Sequence, residues 1–171
     1  MANKGTANVS ASVLNDLSKM NIGSTMTYEP ADAGDKWIYL EVIADASSTA
    51  LVQAGVQYHE KYVRTDGTET ATATGDIVRY MVIKHTGTTD GSTATSSGVV
   101  VSLAATADAA HNEVEGFFLD SGDTIAFKTA ACTLNTIGVI TTDVTNGAPV
   151  SGGTPGDVVL QVAAILDDVS V

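Results

Sequence analysis

The sequence predicts a mainly β fold: an antiparallel β-sandwich or jelly-roll-like body preceded by an N-terminal arm or short helix. Three observations lead there. Apolar, β-branched runs recur at a spacing of roughly ten residues, the rhythm of sandwiches and barrels. Clusters rich in Gly, Asp, Thr and Pro separate them: "PADAGD", "TDGTET", "TGTTDGSTATSSG", "LDSGD" and "NGAPVSGGTPGD". No long helical pattern lies between these runs, which excludes alternating βαβ units.

The first element differs from the rest. Val9, Val13, Leu14, Leu17 and Met20 recur at spacings of four, one, three and three, which places them on one face of a short helix. Asn8 or Ser10 stands where a cap belongs. An extended arm competes with this reading, because the Ala, Ser and Asn before Val13 are weak helix formers. The expected organisation is therefore residues 1–22 as arm or short helix and residues 23–171 as sandwich body. The five apolar residues are the candidate partner-binding set.

From Ser24 onward the period falls to two. "KWIYLEVIA" (Lys36–Ala44) sets Ile38, Leu40, Val42 and Ala44 on one face, with Trp37, Tyr39, Glu41 and Ile43 on the other. "DTIAFKT" puts Ile125 and Phe127 inward and Thr124, Ala126 and Lys128 outward. Further strands are expected within Met26–Glu29, Leu51–Tyr62, Asp76–Thr86, Gly98–Ala104, Val114–Leu119, Cys132–Thr141 and Val158–Leu166. Ala and Thr each occur 23 times and only nine residues are aromatic, so the core must rely on small aliphatic side chains. A subunit with so thin a core is expected to gain stability from neighbours.

Charge narrows the function classes. Eight Lys and Arg face twenty Asp and Glu, a net charge of −12, of which residues 21–171 carry −13 and residues 1–20 carry +1. Such a body repels phosphate backbones, so nucleic acid is not an expected partner. No run approaches the ~20 apolar residues of a membrane span, and no apolar core of a secretory leader follows Met1.

The search for catalytic chemistry is short. One cysteine, Cys132, excludes an internal disulfide and a cysteine zinc cage. His59-Glu60 lacks the second histidine of a zincin, and His85 and His111 are far apart in sequence. There is no Gly-x-Ser-x-Gly elbow and no phosphate-binding loop; "SGGTPG" (Ser151–Gly156) leads into a strand and reads as linker. Glu113 and Glu115 fall on one strand face about 7 Å apart, but without the aromatic groove a glycosidase needs. Asp90, Asp120, Asp123 and Asp157 stand beside turn glycines without the register of a calcium loop. No catalytic, cofactor or metal residues are therefore expected, and the chain is not expected to be an enzyme. The hydroxyl-rich loop between Thr86 and Gly98 is either a solvated connection or a contact surface.

"GFFLDSGDTIAFKTA" (Gly116–Ala131) resembles the strand–turn–strand at one edge of jelly-roll modules. The overall make-up, acidic and rich in Ala, Thr, Gly and Val with almost no cysteine, resembles structural proteins of tailed-bacteriophage virions, especially head decoration or cement proteins. That resemblance implies a homo-oligomer, as a trimer, on the capsid exterior, clamping neighbouring major capsid subunits, with residues 1–20 as the attachment arm. The alternative is a virion appendage or receptor-binding module using loops such as Thr86–Gly98.

Overall fold

The computed structural model describes residues 4–15, 18–29, 35–47, 49–56, 71–103, 116–150 and 153–168. The protein is mainly β, with antiparallel sheets and a β-sandwich body, and the described residues include one 3-10 turn, Leu134–Thr136.

The arm is a β-hairpin. Strands β1 (Gly5–Asn15) and β2 (Ser18–Tyr28) pair antiparallel in unbroken register from Gly5 opposite Tyr28 to Asn15 opposite Ser18. The expected short helix is not formed. The residues between the apolar positions are mostly Ser, Asn and Asp, which compete with helix through their own backbone hydrogen bonds, so pairing with a second strand decides the backbone. The boundary expected after residue 22 falls inside β2, which continues to Tyr28.

The body is two sheets. One has the order β3-β11-β5-β8, built from β3 (Asp35–Ala44), β11 (Val158–Asp167), β5 (Ile77–His85) and β8 (Thr124–Lys128). The other has the order β10-β9-β6-β7, from β10 (Ala148–Val150), β9 (Gly138–Thr145), β6 (Gly98–Ser102) and β7 (Phe117–Leu119), with β4 (Thr49–Ala50) also on β9.

Period two does the sorting. Ile38 and Ala44 of β3 are buried and Leu40 and Val42 pack against the core, while Tyr39, Glu41 and Ile43 face outward and are exposed. Opposite them Val99, Val101 and Val139 close the core from the second sheet. The central strand β11 is an apolar run, as a strand with neighbours on both edges and a packed inner face permits. Phe127 points inward as expected, with Phe117 stacked on it at 5.9 Å.

The strand expected within Cys132–Thr141 starts later than its apolar run, and no described residue of Leu51–Tyr62 lies in a strand. Within Cys132–Thr141 the 3-10 turn precedes β9, and its spacing of three lets both Leu134 and Ile137 be buried, which strict alternation forbids. Within Leu51–Tyr62, Leu51 and Val52 are buried in bends after β4, and residues 57–62 lie outside the described residues.

Candidate functional site

The candidate site is the hairpin and its seat on the outer face of the β3-β11-β5-β8 sheet. Register decides what the seat contains. Asp35 lies opposite Asp167 and Trp37 opposite Ile165. Ile165 also faces Tyr80 while Leu166 faces Val78, so Arg79 is an extra residue in β5. Such a bulge re-aims its side chain. Here it sends Arg79 Nη2 to Asp167 Oδ2 at 2.5 Å and Nη1 to the Ala130 carbonyl at 3.1 Å. The guanidinium thus pairs with one of two carboxylates that the cross-strand register sets opposite each other.

The hairpin base closes over these groups. A Cβ on Gly5 would stand 3.0 Å from the Tyr80 ring and 3.3 Å from Trp37, so a larger residue would have to push these rings aside by a few tenths of an ångström. Trp37 and Tyr80 meet edge to face with centroids 6.2 Å apart. From β2, the Tyr28 hydroxyl donates to Asp35 Oδ2 at 2.9 Å, and Lys128 Nζ lies 6.0 Å from the Tyr28 ring centroid. Burial, then the Asp35 hydrogen bond, pushes the Tyr28 phenol up to about 12. Tyr80 is buried, and its hydroxyl has no hydrogen-bond partner among the described residues.

Beyond its base the hairpin is a ribbon of two 11-residue strands, about 35 Å long at the usual rise. Among the described residues its strands pair with each other and with no other strand, so neither outer edge carries a ladder there. Of the five apolar residues expected to bind a partner, Val9, Val13 and Leu14 lie in β1 and Met20 in β2, while Leu17 lies outside the described residues. An extended backbone has no helical face, so the grouping drawn from helical spacing does not hold. Val9 is opposite Ser24, Val13 opposite Met20 and Leu14 opposite Lys19.

The other sequence candidates have local duties. His85 is buried; Gly87 N–H donates to its Nδ1 at 2.9 Å, which leaves the ring proton on Nε2 to be donated to the Ser97 carbonyl at 2.9 Å. Both ring nitrogens are committed to holding β5 against the following loop. His59, His111, Glu113 and Glu115 lie outside the described residues. Among the described residues no three His, Cys, Asp or Glu side chains are grouped to hold a metal ion, and no helix is long and apolar enough to cross a membrane.

The aspartates serve turns. Asp90 accepts hydrogen bonds from the N–H groups of Thr93 and Ser92 and from both hydroxyls, which holds its carboxyl well below the usual range. Gly91 follows at φ 87°, the left-handed position that glycine fills without strain. Asp123 accepts from the Asp120 N–H, and Asp120 from the Ser121 N–H. The Thr86–Gly98 loop is internally bonded, from Thr89 N–H to the Thr93 carbonyl and from Thr95 N–H to the Gly87 carbonyl. Cys132 is a free thiol, half-buried, 3.9 Å from the Leu103 carbonyl.

No family model, curated protein or solved structure matches this chain.

Proposed function

We propose that this chain is a structural subunit of a virion, a head decoration or cement protein that binds the outer surface of a viral shell and bridges neighbouring capsid subunits. The observation that carries the reading is the hairpin that pairs with no third strand among the described residues. A two-stranded ribbon is marginally stable alone in water and needs a third strand or a packed face. Among the described residues this one pairs with no third strand. A neighbour's sheet edge supplies the missing strand through main-chain hydrogen bonds. The sandwich anchors the ribbon at the Tyr28–Asp35 seat, so force on the arm passes into a rigid body. The +1 charge of residues 1–20 suits an acidic shell surface, and the −13 of the remainder discourages unscheduled aggregation. Wide, rigid contact is what bridging requires; activated side chains are not.

Proline in the ribbon tests this. Adjacent strand residues direct their N–H groups to opposite edges, so one of Ser24→Pro and Thr25→Pro removes a donor from the ribbon's outer edge. The expected result is lower shell occupancy for that variant, with the melting transition of the body retained. Undiminished occupancy for both variants would defeat the proposal. Copy number in purified particles adds a second check: parity with the major capsid subunit supports decoration, whereas a few copies per particle contradict it.

A further inference from the structure

We draw no further inference here: the strongest candidate, the exposed Tyr39 and Ile43 patch on the outer face of β3, carries nothing because nothing in the structure shows what covers it.

Discussion

Tyr80 shows how one side chain can serve packing at a polar cost. Its ring fills the space under Gly5 and beside Trp37, yet its buried hydroxyl has no partner among the described residues. An unsatisfied buried hydroxyl costs about 1–3 kcal/mol. Tyr80→Phe keeps the ring and removes the orphan, so the variant is expected to be at least as stable as the parent, with a gain of about 1 kcal/mol. Calorimetric melting checks this, and a clear loss of stability would show that the hydroxyl is bonded. His85 is the opposite case. A lone histidine in a β-branched strand carried no sign of its use, which depends on the Gly87 N–H and the Ser97 carbonyl meeting its ring from the following loop.

The hairpin is an element whose attachment depends on ionisation. The Tyr28 phenol is pushed up to about 12, by burial first and by Asp35 second. A raised value means the folded seat favours the neutral phenol. Its contribution is fully present well below pH 10, the midpoint of an unperturbed tyrosine, and is lost as pH rises through that value to the folded one. Trp37, the sole tryptophan, lies in the same seat and reports on it. Trp37 fluorescence is expected to change between about pH 10 and 12, and in a Tyr80→Phe background, which removes the phenol in contact with Trp37, Tyr28→Phe is expected to remove that step. An unchanged step in the variant would detach it from Tyr28. The strands of the body were legible because alternation is a local property: Ile38 to Ala44 and Ile125 to Phe127 sort as their spacing predicts. The arm was harder, because spacings of three and four between apolar residues do not distinguish a helix from a strand when the intervening residues are small and polar. Pairing with a second strand chose between them.

The molecule as a whole is closed at one end by a contact between its early and late chain. Lys36 Nζ donates to Asp168 Oδ2 at 2.6 Å across 132 residues, and both side chains are nearly inaccessible. Removing one member of a buried pair leaves the other charge uncompensated, at about 3–5 kcal/mol, whereas replacing both with apolar groups is often close to neutral. Lys36→Met is therefore expected to lower the stability of the body, and Lys36→Met with Asp168→Leu to recover part of the loss. Chemical denaturation of the two variants measures the difference; equal loss in both would mean that the pair itself is not the source.

The same long-range closure separates two kinds of information. Turn residues and the two-residue period are encoded within a few neighbours, so the mainly β class, most strand positions and the inward faces could be read from the chain directly. Which strands become neighbours depends on contacts between residues distant in sequence, where loop entropy, burial and register compete across the entire chain. The placement of β11 between β3 and β5, the bulge that turns Arg79 toward Asp167 and the seat beneath the arm all arise at that level. No short stretch of sequence contains both partners of any of them.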